Sequence, residues 1–106
     1  MKPAIRSALA EADILATLDR YAVEVPHVLD RFVLALERAI SRIEHHTGIG
    51  APRYAHELNI PLLRFWVVTK FPYAVFYIEH DQHLAVIRVV HMSRDIPATL
   101  QGGEPQ

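Results

Sequence analysis

Residues Phe71–Leu100 read FPYAVFYIEHDQHLAVIRVVHMSRDIPATL, and their pattern decides the fold. Two apolar runs, Tyr73–Ile78 and Leu84–Val90, flank a fully polar break, Glu79-His80-Asp81-Gln82-His83. Both runs are rich in Val, Ile, Phe and Tyr, side chains that suit a pleated and half-buried surface. The spacing predicts an antiparallel hairpin with a medium-length loop. A lone hairpin is marginal in water, so the rest of the chain must supply a further strand and a helical cover.

Just upstream, Leu62–Thr69 alternates. Leu63, Phe65 and Val67 point one way; Arg64, Trp66 and Val68 point the other, with Lys70 in phase with them. That is a strand with a core face and a mixed apolar and cationic face, joined to the hairpin by a tight Lys70-Phe71-Pro72 connection. Arg53–Pro61 has no clear period, and Pro61 argues against a strand running through it. Thr47–Pro52 reads as a loop, with Gly48 as a helix C-cap.

Farther out, a helix is predicted from about Pro26 to His46. Leu29, Phe32, Leu36, Ala39 and Ile43 form its stripe, with Val28, Val33 and Ile40 beside it. This arc is wider than one packing partner requires, so its outer part is expected to meet something outside the chain. Asp30, Arg31, Glu37, Arg38, Arg42 and Glu44 make a solvated face of mixed sign. An earlier helix, Ala8–Val23, repeats Ile14, Leu18 and Tyr21 at spacings of three and four, widened by Leu15 and Ala22. Ser7 is its expected N-cap, and Glu11 and Asp13 suit its positive end. Ala4–Arg6 fits a short edge strand. Residues 1–100 then form a single domain, with 101–106 as a flexible C-terminal tail. The order strand, helix, helix, strand, strand, strand predicts an α+β fold. In it, an N-terminal helical hairpin packs on one face of a small antiparallel sheet of three to four strands.

Composition narrows the function. Net charge is −1, which does not favour an electrostatic nucleic-acid binder. With no cysteine, disulfides, thiol catalysis and cysteine zinc sites are excluded. No apolar run reaches the roughly 18 residues of a membrane helix, and no secretory signal is visible. The reading is a cytoplasmic protein without membrane attachment.

Two helices cover one side of such a sheet, and the other side must meet water or a partner. Arg88 lies within an apolar run, and an unpaired buried cation is costly, so Arg88 is expected to mark the uncovered face. Arg64, Trp66, Lys70, Val86, Arg88 and Val90 would share that surface. The alternative is that the C-terminal segment folds back and covers it.

Phe71–Leu100 resembles the C-terminal half of ParE toxins of the RelE/ParE superfamily. The similar residues are Phe71-Pro72-Tyr73, the run to Tyr77, Ile87-Arg88-Val89-Val90-His91 and Arg94-Asp95-Ile96-Pro97. Ile49-Gly50-Ala51-Pro52-Arg53, Leu63-Arg64-Phe65 and the helix from Ser7 to Leu18 extend the resemblance over nearly the whole chain. It implies a type II toxin, neutralised by a ParD-like antitoxin in a hetero-oligomer and directed at DNA gyrase. The RelE branch of the superfamily instead cleaves mRNA on the ribosome, and a third possibility is an inactive member that only binds antitoxin.

Candidate residues follow. Antitoxin contact is expected at Leu18, Tyr21, Val33 and Ile40 on the helices and at Arg64, Trp66 and Arg88 on the sheet, through a helix-in-groove or strand-addition mode. Ile40→Asp would then weaken the complex with little loss of fold. Toxicity is expected to involve Arg88, His91, Arg94 and Asp95. His91 is the one plausible proton shuttle among Arg64, Lys70, Arg88, His91 and Arg94, and alternation places it opposite Arg88. No catalytic residue, metal site or cofactor is therefore assigned, and no sequence-specific nucleic-acid binding is expected of the chain alone. His45, His46, His80 and His83 read as surface residues, and Arg94-Asp95 as a local ion pair. Phe65 and Trp66 could stack on bases, but aromatic strand residues are more often core.

Overall fold

In the computed structural model, which describes residues 1–102, four strands and four α-helices occur in the order β1 (Ala4–Arg6), α1 (Ala8–Glu24), α2 (Leu29–His45), α3 (Arg53–Glu57), β2 (Leu63–Val67), β3 (Tyr73–Glu79), β4 (Leu84–His91) and α4 (Ile96–Gly102). The hairpin lies where the pattern put it. The sheet order is β1-β4-β3-β2. Strands β2, β3 and β4 pair antiparallel, whereas β1 joins β4 in parallel, so the sheet is mixed. Parallel pairing needs a long crossover, and here α1–α3 and the two further strands between β1 and β4 supply it. Of the expected tail, residues 103–106 lie outside the described residues, and Gln101 and Gly102 close α4.

Ser7 caps α1: its Oγ accepts from the Ala10 N–H at 3.0 Å and donates to the Ile87 carbonyl at 2.9 Å. The cap thus also fixes α1 against β4. The start expected for the second helix at Pro26 is instead a 3₁₀ turn, Pro26–Val28, before α2 begins at Leu29. Proline tolerates that tighter turn because the missing N–H would be unpaired at a helix start anyway. From α2, Phe32, Leu36, Ala39, Ile40 and Ile43 are buried against Val75, Tyr77, Val86 and Val89 of the sheet.

The far face of the sheet is closed, which overturns the expected open surface. Leu63, Ala74, Phe76 and Val90 form a second core with Tyr54 of α3 and Ile96 of α4, and Leu100 packs against it. The molecule is therefore three layers, and the fold-back alternative is the one realised. Facing within β4 also changes midway. Phe76 pairs with Arg88 and Tyr77 with Val86, so Ile87 is an extra residue in a β-bulge. Val86 consequently packs under the helices and Val90 under α3 and α4. A strict alternation puts the two on one face, and a single inserted residue reverses that.

Gly50 marks a close approach. A Cβ there would lie 2.6 Å from the Tyr77 hydroxyl and 2.9 Å from the Phe65 carbonyl. The buried Tyr77 hydroxyl accepts from the Gly50 N–H at 2.9 Å and donates to the Thr47 carbonyl at 2.8 Å. Burial pushes this phenol above its ordinary value, opposed by the Gly50 hydrogen bond. The loop from Thr47 to Ala51 is thus tied to the sheet through one phenol, and Ala51 adds a two-bond bridge to Phe65.

Candidate functional site

Arg88 is not a surface residue. It is 2 % exposed, and its Nε and Nη2 donate to both carboxylate oxygens of Asp13, at 2.8 and 3.0 Å. Its Nη1 donates to the Thr99 carbonyl of α4 at 2.9 Å. Asp13 also accepts the Val89 N–H at 3.0 Å. That last bond has a topological cause. β1 pairs with β4 only at Leu84–Val86, so the edge beyond is left to α1, and the Asp13 carboxylate takes the place of a strand. The cost of a buried cation is met by pairing rather than by exposure. Arg88 therefore leaves both the antitoxin-binding and the toxicity candidates as a residue that joins α1, β4 and α4.

The sequence reading placed Asp13 at the positive end of α1 and missed its ion pair, although a signal for it existed. It shares the buried side of α1 with Ala10, Ile14 and Thr17, at the i, i+3, i+4, i+7 spacing of a core stripe. A carboxylate in such a stripe calls for a buried cation, and Arg88 is the one in the hairpin.

The other sheet candidates also have structural tasks. Arg64 Nη1 donates to the Gly50 and Gly48 carbonyls, at 2.7 and 3.3 Å, and holds that loop. Trp66 is half-buried against the helix-side core. Its outer side joins Ile49, Ala51, Phe65 and Val67 around a shallow pocket of about 260 Å³. Phe65 packs on Tyr54 and Phe76, with ring centroids 5.8 and 5.4 Å away, which occupies it in the core rather than with bases. His45 donates to the Ser41 carbonyl at 2.8 Å, and the His80 and His83 rings stack on each other at 4.9 Å.

Of the helix candidates, Ile40 is buried in the core, and Leu18 and Tyr21 pack against that core half-buried. Tyr21 belongs to an aromatic cluster with Phe32, Phe71 and Tyr73, at centroid distances of 5.2 to 6.3 Å. Val33 is half-buried. The outer face of α2 is instead defined by Leu34, which is 46 % exposed. Val28, Arg31, Leu34, Ala35 and Arg38 face the turn Thr69–Phe71 across a groove of about 580 Å³. Next along the helix, Arg38, Ser41, Arg42, His45 and His46 line a second hollow of about 300 Å³. Among the described residues, both are lined by cations or imidazoles and by no carboxylate.

A second polar group gathers at the end of β4. Arg20 of α1 hydrogen-bonds the Tyr73 hydroxyl, and the Tyr73 ring meets the His91 ring edge-on at 5.0 Å. The Ser93 N–H donates to His91 Nδ1 at 3.0 Å, with the Ser93 hydroxyl 2.7 Å from the same atom. Burial, then the charges of Arg20 and Arg94, hold the imidazole below its ordinary value. The ring is therefore neutral near pH 7, with Nδ1 accepting and the proton on Nε2. Asp95 does not serve Arg94 as an ion-pair partner among the described contacts. Its Oδ1 accepts the Ala98 N–H at 3.1 Å in the first turn of α4. Arg20 was missed because nothing in the pattern of α1 says that its one arginine will lie beside β4.

A pH dependence follows. A histidine with a lowered folded value takes up its proton first in the unfolded chain. Its contribution to stability is complete above the ordinary value of 6.5 and is lost as pH falls from there toward the lowered one. Thermal midpoints measured between about pH 5 and pH 7 should fall less steeply on acidification in His91→Gln than in the wild type. An unchanged slope would show that burial and the two arginines do not hold the ring below its ordinary value.

Among the described residues, no helix is long and apolar enough to cross a membrane. Comparison with curated protein sequences finds no match. Among solved structures, a chain described as the chromosomal ParDE TA system from P. aeruginosa superposes with a TM-score of 0.70 at 18 % identity, covering 86 % of this chain and 96 % of that one. At that identity the likeness establishes the shared fold. The family described as the ParE toxin of the type II toxin–antitoxin system, parDE, matches residues 5–96, a span that holds α1–α3 and β2–β4 whole. On that match, this chain belongs to the ParE toxin family.

Proposed function

We propose that this chain is a non-enzymatic toxin that inhibits DNA gyrase in the cytoplasm and is neutralised by a ParD-like antitoxin. The observation that carries the non-enzymatic reading is the His91 ring. RNA cleavage needs a group that can take a proton from the 2′-hydroxyl. In His91, Nδ1 is engaged by Ser93 and Nε2 already bears the proton, so the ring donates a hydrogen bond rather than accepting a proton. Arg20, His91 and Arg94 thus offer donors at the end of β4, which suits contact with a target surface. The antitoxin reading rests on the α2 groove, where Leu34 stays exposed on a helix that already has its core face filled.

Induced expression should arrest growth, and co-expression of the antitoxin should restore it. Purified toxin should inhibit supercoiling by gyrase, and His91→Ala with Arg94→Ala should weaken that inhibition by tenfold or more, on the order of a lost pair of contacts. Cleavage of transcripts on translating ribosomes, with supercoiling untouched, would establish the ribonuclease instead. Silence in both assays with antitoxin binding retained would identify an inactive member.

A further inference from the structure

We propose that the corner where α1 meets the end of β4 is a carboxylate-binding site, in which Arg20, His91 and Arg94 take an acidic side chain of a protein partner. The proposal rests on the target-contact reading only for which protein brings that side chain.

The first observation is placement. α1 runs along the edge of β4 and is fixed to it before the corner: the Ser7 hydroxyl donates to the Ile87 carbonyl at 2.9 Å, and Asp13 accepts the Val89 N–H at 3.0 Å. Arg20 follows Asp13 by about two helical turns and so stays on the same side of α1. Its guanidinium there hydrogen-bonds the Tyr73 hydroxyl. The docking of the helix on the strand is what delivers this arginine to the end of β4.

The second observation is orientation. Tyr73 is 1 % exposed and packs on Phe32 at 5.5 Å and on Tyr21 at 6.3 Å, so the hydroxyl that Arg20 meets is a fixed point. The same ring meets His91 edge-on at 5.0 Å. The Ser93 N–H holds Nδ1 of that imidazole at 3.0 Å, and a ring that accepts at Nδ1 carries its proton on Nε2. One buried phenol thus sets the positions of an arginine and an imidazole, and both are donors. Both are half-buried, where a charge-assisted hydrogen bond is screened less than on an open surface.

The third observation is charge. The Arg94 N–H donates to the His91 carbonyl at 3.0 Å, and the charges of Arg20 and Arg94 both act on the imidazole. Like charges beside an imidazole repel its protonated form and each other. A carboxylate among them turns repulsion into attraction, and the planar fork of an arginine matches its two oxygens. One corner with two arginines and an imidazole suits a single carboxylate. A nucleic acid is held instead by many backbone contacts, and a chain of net charge −1 supplies no general field to draw one in.

The imidazole itself reports occupancy. An anion beside it favours the protonated form, so the His91 titration midpoint rises when the site fills. The charged or ionisable groups around the ring are Arg20 of α1, Tyr73 of β3 with Tyr21 behind it, and Arg94 of the following turn. Histidine is the residue type among them that ordinarily titrates between pH 5 and 8.

The full-length protein is titrated by NMR of its imidazoles in about 0.2 M sodium acetate and in sodium chloride of the same ionic strength. Acetate should raise the His91 midpoint by about half a pH unit or more over chloride, and leave that of the exposed His56 unmoved. Arg20→Gln and Arg94→Gln should each remove most of the rise. Arg20→Lys should keep part of it, since it retains the charge and loses the fork. Arg94 is exposed, so its variant reads the site even where Arg20→Gln disturbs the Tyr73 contact. Equal midpoints in acetate and chloride would overturn the proposal. So would a wild-type response in both glutamine variants, or a larger rise with a short DNA duplex than with acetate at matched anionic charge. The acetate response is measured without gyrase. A normal response in a protein that does not inhibit supercoiling would overturn the gyrase reading alone, and inhibition without an acetate response would overturn this one alone.

Discussion

Asp13→Ala is expected to cost about 3–5 kcal/mol of folding stability, the usual loss when one partner of a buried ion pair is removed. Three donors converge on this carboxylate: Nε and Nη2 of Arg88 and the N–H of Val89. Asp13 is 0 % exposed and Arg88 2 %, so water cannot replace what is lost. The variant would keep a buried guanidinium that has lost its carboxylate while Nη1 still donates to the Thr99 carbonyl, and the edge of β4 would lose its acceptor. Domains of this size are stable by roughly 5–15 kcal/mol in total, so the variant should sit close to unfolding. Urea denaturation followed by circular dichroism measures the effect directly. Asp13→Leu combined with Arg88→Met should be markedly more stable than Asp13→Ala, since replacing both charges removes the uncompensated one. A loss below about 1 kcal/mol in Asp13→Ala, the range of exposed pairs, would show that water reaches the pair.

Ile40→Asp is expected to abolish folding, and Leu34→Asp to leave it intact. Ile40 belongs to the apolar arc of α2 and Leu34 lies outside it, and the sequence pattern favours Ile40 for partner contact. Ile40 is only 8 % exposed, within the same core as Phe32, Leu36 and Ile43. A carboxylate there loses the burial of a large side chain, about 2–5 kcal/mol, and must also be desolvated or protonated. Leu34 is 46 % exposed, and a surface substitution typically changes stability by within about 0.5 kcal/mol. Leu34→Asp nevertheless places a carboxylate on the floor of the groove, where a partner's apolar ridge would rest. Circular dichroism should show Ile40→Asp unfolded and Leu34→Asp native. Co-purification with antitoxin should then fail for Leu34→Asp. A folded Ile40→Asp, or a Leu34→Asp that retains its antitoxin, would return partner contact to the residues the pattern favours.

These two expectations mark where sequence reasoning stops. A period of two over Leu63–Val67, a continuous run of β-branched and aromatic residues over Tyr73–Ile78, and a period near 3.6 over α1 and α2 follow from the geometry of single elements, so they are legible in a linear chain. The Ser7 cap and the Pro26 break are local for the same reason. The short helix α3 has too few residues for a period to show, and α4 lies in a segment whose composition reads as turn and tail. Their covering of the second face was open in the sequence because packing between layers depends on where the chain returns. The site suffers most from this. His91 and Arg94 were legible as chemistry next to a strand end, but Arg20 comes from an element more than seventy residues away, and Leu34 is separated from Ile40 only by which side of α2 meets the sheet.

By itself, the sequence determined the identity and order of the main elements, the α+β class and the kinship of the chain. Those depend on local periodicity, capping and turn chemistry, which each residue expresses through its near neighbours. Only the tertiary structure decided that Arg88 is paired and buried, that both sheet faces are closed, and that the unfilled surface is the cationic groove beside Lys70. Each of these turns on one inserted residue in β4 or on a contact between distant segments. Burial and charge pairing are properties of the assembled layers, and no single stretch of chain contains them.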